Sequence, residues 1–345
     1  MRLTRQLSLL AGAWLPPDRD TADLAVASGR LSAATARDLG YTELPVSAGT
    51  APPGMAVRAA RALLDRGGVP AEALSLLLHA SVHHQGHDAW SAPHHIADRL
   101  GAHRATPVGV LQQCNGGAVG IELAAARLQG DPAAGPALVT TADRFLLPSW
   151  DRWLTDYGMA AGDGATAVLV HHHRGLPADL LLHAVHTEAA SELEVMHRGD
   201  DELDAAPLGH GSMIDVRRTK RAFVREFGIE RFTKTAHDRI RAVVARALAD
   251  AGLAPDDPRL RYAVLPRLGA KAMREAYVPP LVESTPAELL DLGRESGHLG
   301  AGDLNASLAD LVSRHLLEPG EHALVLNGGG GFTFTAVVVA APTTR

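Results

Sequence analysis

The chain has 345 residues, 46% apolar and 21% charged, with a formal net charge of −6. That length suffices for a large core divided between two domain-sized halves, and the negative balance excludes a surface built as a whole for nucleic acid. A single cysteine, Cys114, excludes an intramolecular disulfide framework and fits a reducing interior.

Arg2 and Arg5 precede the apolar run Leu7–Leu15, which superficially resembles a short secretion signal. No small-residue cleavage site follows, and Pro16-Pro17 opens a polar stretch, so the run reads as a first strand entering the core and the expected compartment is the cytoplasm. Met55–Arg66 has the spacing of an amphipathic helix and Leu74–Ala80 that of a buried strand. Val108–Leu111 is a further strand, followed by a glycine-opened helix to about Leu128; Ala137–Thr141 and Ala165–Val170 are the next strands. Glu188–Arg231 is polar and reads as an insertion, helical after Asp215. Phe232–Ala251 is a long helix, Tyr262–Leu265 a short strand, and Leu304–Leu316 a helix after a glycine-rich loop. Ala323–Leu326 and Thr333–Ala340 are the closing strands. This alternation predicts a parallel or mixed sheet with helices on both faces. The runs Gly162-Asp-Gly-Ala-Thr-Ala-Val and Gly330-Gly-Phe-Thr-Phe-Thr-Ala-Val close halves of similar length in the same way, which a duplicated fold explains most simply. No apolar run is long enough to span a membrane as a helix.

Three segments carry chemistry. Cys114 falls between the strand ending near Leu111 and the helix opening at Gly116, so its thiol sits on a sharp turn facing the positive end of the helix dipole; a buried structural cysteine is the plainer alternative. Residues 296–307 place His298 and Asp303 five apart in a loop of small residues, where the carboxylate either orients the imidazole or caps the following helix. Asn327 is followed by four glycines, whose bare N–H groups suit an oxyanion; a flexible turn is the plainer alternative. The cluster Arg217, Arg218, Lys220, Arg221 and Arg225 is either a solvated helix face or a landing patch for an acidic carrier or a phosphate-bearing cofactor. His83, His84 and His87, like His171 to His173, lack the cysteine or carboxylate that would complete a metal motif, and no metal site is assigned.

Taken together, the Cys114 turn, the Gly162-Asp-Gly segment and the terminal glycine run resemble the ketosynthase III branch of the thiolase superfamily. The likeness extends from Leu9 to the last strand. It implies an α/β fold of the duplicated, five-layered α-β-α-β-α thiolase type with mixed sheets. Residues 1–175 would form the half carrying the nucleophile, and residues 176–345 the half carrying the His/Asp loop and glycine turn. It also implies a homodimer and acyl transfer through a cysteine thioester. The donor would be an acyl group on coenzyme A or on the phosphopantetheine of an acyl carrier protein, with no permanently bound cofactor. The oxyanion donors would be the backbone amides of Cys114 and Gly330. Arg267, Lys271 and Arg274 fall near the mouth by the same likeness, in reach of donor phosphates.

The chain departs from the condensing members of that branch. Their Pro-His-Gln-Ala-Asn segment reads Pro266-Arg267-Leu268-Gly269-Ala270 here, and their Gly-Asn-Thr-Ser reads Gly297-His298-Leu299-Gly300. The histidine and asparagine that stabilise an enolate are therefore both missing. A carbanion acceptor needs donors, whereas a hydroxyl or amine acceptor needs a base, which a Cys114–His298–Asp303 arrangement supplies. The run Gly-His-Leu-Gly-Ala-Gly-Asp is similar to ketosynthase III-like acyltransferases of antibiotic biosynthesis, those of the cervimycin malonyltransferase type. The expected activity is transfer of an acyl group to a hydroxyl or amine of a small-molecule acceptor. A condensing enzyme with unusual residues, or a non-catalytic subunit on the same fold, are the alternatives.

Overall fold

The computed structural model describes residues 1–172, 175–206 and 209–343. Its strands are β1 (Arg2–Trp14), β2 (Asp18–Thr21), β3 (Glu43–Val46), β4 (Leu76–Ala80), β5 (Thr106–Val110), β6 (Ala137–Asp143), β7 (Gly164–His172), β8 (Leu180–Ala189), β9 (Leu260–Val264), β10 (Glu288–Leu290), β11 (His322–Gly329) and β12 (Thr333–Ala340). β2 and β3 form a separate ribbon, and the other ten make one mixed sheet in the order β10-β9-β11-β12-β8-β1-β7-β6-β4-β5. From the central β1–β8 pair outward, both sides run antiparallel, antiparallel, parallel, parallel. The same topology thus occurs twice, and the two glycine-led strands, β7 and β12, hold equivalent places in it.

Successive side chains along each strand point to opposite faces, which sorts the core into layers. Leu10, Leu77, Leu138 and Leu169 point outward from the first half and pack under the helices Pro52–Gly67 and Ala92–Leu100. Leu9, Val139 and Val168 point inward. They share a core with Val325, Val337 and Val339 of the second half and with the helices Gly116–Gly130 and Asp303–Ser313. Leu324, Ala336 and Val338 face outward against Ile240, Val244 and Leu248 of the helix Ile229–Ala251. Helices, sheet, helices, sheet and helices follow one another, the five layers of the thiolase fold. With both sheet faces covered, β6, β7, β11 and β12 read as continuous buried runs rather than alternating ones.

Two local departures from the sequence expectation bear on the site. β5 stops at Val110, and Leu111 is 91% exposed rather than the end of a buried strand. β8, a strand beyond those expected from the sequence, supplies half of the central strand pair. The helix after Asp215 is present as Val216–Phe227, and the Asp215 carboxylate caps it by accepting from Arg218 N at 3.0 Å. Among the described residues no helix is long and apolar enough to cross a membrane.

Candidate active site

After β5 the chain turns through Gln113, held at φ +49°, before the helix Gly116–Gly130 begins. A left-handed non-glycine residue costs about 1 kcal/mol or more, so this turn persists because its surroundings fix it. Asn327 Nδ2 donates to the carbonyl of Cys114 at 2.9 Å, and Asn115 Nδ2 donates to the hydroxyls of Thr333 and Thr335 at 3.0 and 2.7 Å. The glycine run passes directly behind the turn: a Cβ on Gly329 would lie 2.5 Å from Asn115 N. Cys114, half-buried at the helix start, is thereby bound to β11 and β12 of the opposite half.

His298 arrives from the other side. Its N–H donates to Ala160 O and its carbonyl accepts from Gly162 N, both at 2.9 Å, which clamps the loop against the Gly162-Asp-Gly segment. Its Nδ1–H donates to Asp303 Oδ2 at 2.6 Å, and Asp303 Oδ1 accepts from Leu299 N at 2.7 Å. The carboxylate therefore turns back onto its own loop instead of capping the helix Asp303–Ser313. The opposite ring nitrogen, Nε2, is buried without a hydrogen-bond partner of fitting geometry, and Cys114 is close enough to act on it electrostatically. Burial disfavours the imidazolium, but the charges of Asp303 and Cys114 outweigh it and hold His298 well above the ordinary histidine range.

Two further residues support this loop. Asp143, fully buried at the end of β6, accepts from Val82 N and His83 N at 2.9 and 2.8 Å with one oxygen and from Ala301 N at 3.0 Å with the other. Burial pushes its carboxyl up to about 7 against the pull of those amides and of His298. Arg267 is the second, and it corrects an expectation. It was expected at the mouth with Lys271 and Arg274, yet it is 2% exposed. Its guanidinium donates to Leu292 O, Ser296 Oγ, Asp303 O and Asp310 Oδ2 at 3.0, 2.6, 3.4 and 2.5 Å. Four of its five N–H donors are engaged, and the buried guanidinium does not line the cavity where a donor phosphate would sit. Arg267 is a strut under the loop that carries His298 and Asp303.

A cavity of about 880 Å³ opens in front of Cys114. Gly330, the expected oxyanion donor, lines its inner end, with Tyr277 and Phe332 nearby, and the helix Val216–Phe227 borders it farther out. Lys271 lines it and Arg274 does not. Of the basic cluster, Lys220 is paired with Asp156 at 2.6 Å and Arg217 donates to Asp156 O and Trp153 O. Arg221 donates to Tyr157 Oη at 2.6 Å, and Arg225 pairs with Asp200 at 3.3 Å. The histidine groups diverge: His83 Nε2 bonds Ser149 Oγ at 2.9 Å, His84 is exposed, and His173 lies outside the described residues. Among the described residues no three His, Cys, Asp or Glu side chains converge as metal ligands.

A duplicated five-layer α/β fold with a cysteine at a helix start, facing a sealed His–Asp pair, defines a thiolase-superfamily protein. No family model matches the chain. It is 26% identical over 288 residues to the beta-ketoacyl-[acyl-carrier-protein] synthase III of Roseiflexus sp. (strain RS-1), covering 83% of this chain and 82% of that one. The solved structure of ChlB3, described as an acyltransferase, is 32% identical with a TM-score of 0.87 and 98% coverage of both chains. The 3-oxoacyl-(acyl carrier protein) synthase III of Pseudomonas aeruginosa PAO1 shares the fold at 20% identity and a TM-score of 0.75, covering 98% of this chain and 99% of that one. The chain belongs to the ketosynthase III-like branch of the thiolase superfamily.

Proposed function

We propose that this protein is an acyltransferase. It moves an acyl group from a coenzyme A or acyl carrier protein thioester, through an acyl-Cys114, to a hydroxyl or amine of a secondary-metabolite acceptor. The observation that carries this is the buried 2.6 Å bond from His298 Nδ1 to Asp303, which leaves Nε2 as the proton-handling nitrogen on the Cys114 side. Cys114 thiolate attacks the donor carbonyl, the amides of Cys114 and Gly330 hold the oxyanion, and the leaving sulfur takes a proton from His298. Acylation removes the thiolate charge that helped to keep His298 protonated, so its imidazole becomes the base for the acceptor O–H or N–H. The likeness to ChlB3 supports an acyltransferase, and the conversion of Arg267 into a strut supports the loss of the enolate-stabilising device. Lys271 and Arg221, at the cavity wall, are the cations placed to meet donor phosphates. A homodimer completes the proposal.

Intact-protein mass spectrometry with a panel of acyl thioesters, malonyl included, tests it. The expected result is a stable adduct on Cys114 that retains its carboxylate when malonyl is offered, absent in Cys114→Ala. His298→Ala should load slowly and fail to pass the acyl group on. Loss of CO2 from a malonyl thioester on the enzyme would favour condensation, and no adduct from any donor would favour a non-catalytic subunit.

A further inference from the structure

The phenol of Tyr277 stands beside the nucleophile with no role in the scheme above. It ends a π-helical turn, Met273–Tyr277, a local widening of the helix that recurs at functional sites. The side chain is otherwise buried, and its ring lies 6.3 Å from that of Phe334. It lines the same cavity as Cys114, Gly328 and Gly330. Gly328 makes the placement possible, because a Cβ there would collide with the Tyr277 hydroxyl. Burial, followed by the charges of Cys114 and Asp303, pushes the phenol above its ordinary range, so it stays a neutral O–H donor.

Resting on the acyltransferase proposal, we infer that Tyr277 is a catalytic residue that donates a hydrogen bond to the leaving sulfur of the donor thioester during loading of Cys114. The Cys114 Sγ–C bond forms and the C–S bond of the donor breaks. The departing sulfur carries off the electron pair and takes the proton held by His298, while Tyr277 keeps its own proton throughout. A neutral donor aimed at charge developing on sulfur is the kind of group that such a step rewards. With Arg267 turned inward beneath the His298 loop, Tyr277 brings a side-chain O–H to the Cys114 end of the cavity.

The test compares loading rates of wild type and Tyr277→Phe with two donors of the same acyl group, an alkyl (pantetheine) thioester and an aryl thioester. An aryl thiolate leaves readily and needs little help. Loading from the alkyl donor should fall about tenfold or more, loading from the aryl donor should change by about twofold or less, and the melting temperature should hold. Gly328→Ala, which pushes the hydroxyl aside, should give the same split and serves if Tyr277→Phe does not fold. Equal slowing with both donors, or unchanged alkyl loading, overturns the inference and leaves the acyltransferase proposal standing. Failure of the wild type to load from either donor overturns both.

Discussion

His298 Nδ1 and Asp303 Oδ2 lie 2.6 Å apart with both side chains 1% exposed, and the second Asp303 oxygen is already bound by Leu299 N. The carboxylate is held from both ends, so Nδ1 keeps its proton and Nε2 is the nitrogen left to give up or take one.

Asp303→Asn should break that device while preserving shape. If the amide oxygen still serves Leu299 N, its NH2 faces Nδ1 and shifts the ring proton to Nε2. Acyl transfer in single turnover should drop roughly a hundred- to ten-thousandfold. The pH dependence has a definite sign: His298 is raised in the folded state, so its stabilisation is complete below the unfolded histidine value and fades as pH rises through the folded one. The melting-temperature gap between wild type and Asp303→Asn should therefore be wider at pH 6 than at pH 9, and a gap that widens toward alkaline pH would contradict the ion-pair assignment.

Gly117 holds the nucleophile helix against the histidine loop. A Cβ there would lie 2.6 Å from Ala301 O and 3.0 Å from Thr141 Cγ2. Gly117→Ala should cost about 1–3 kcal/mol of stability by overpacking. Because the displaced atom is in the His298–Asp303 loop, acyl transfer should fall more than Cys114 loading does; rapid-quench measurement of the two steps checks this.

Arg267 gives a test against its own expected role. Arg267→Met leaves Asp310 with Arg314 as its remaining cation partner and frees three acceptors, so stability should fall by about 1–3 kcal/mol. Residual folded enzyme should bind coenzyme A as wild type does, whereas Lys271→Ala should weaken binding in a salt-dependent manner. Calorimetric titration at two ionic strengths separates them, and a large loss of affinity in Arg267→Met would restore the donor-binding role.

Asp143 predicts a second pH signature. Its carboxyl rises from 3.8 to about 7 in the fold, so the native state holds a proton that the unfolded chain releases. Between about pH 4 and pH 7 this group should cost stability as pH rises, up to roughly 4 kcal/mol, and nothing further above that. Asp143→Asn should flatten the melting-temperature profile in that window while loosening the tether to Ala301. An identical slope in the two proteins would show that the group titrates normally.

The local signals of the site were legible for a physical reason. Cys114, the His298–Asp303 loop and the glycine run each combine a reactive or bare-backbone residue with the small neighbours needed for close approach, and that combination is written in consecutive residues. Asp143 carried a fainter signal, an acid ending a buried strand. Tyr277 carried none, since a tyrosine in a helical segment looks the same whether it faces a core or a nucleophile.

By itself the sequence determined the duplicated α/β architecture and the residue types of the candidate site, because strand periodicity, glycine placement and the lone cysteine are properties of neighbouring residues. Only the tertiary structure decided direction. Arg267 turns inward to four oxygen acceptors while Lys271, four residues on, faces the cavity, and Asp303 turns to His298 rather than to its own helix end. Those choices depend on Ser296, Asp310, Ala160 and Gly162, which surround the loop only after the two halves of the sheet have closed around their shared helices.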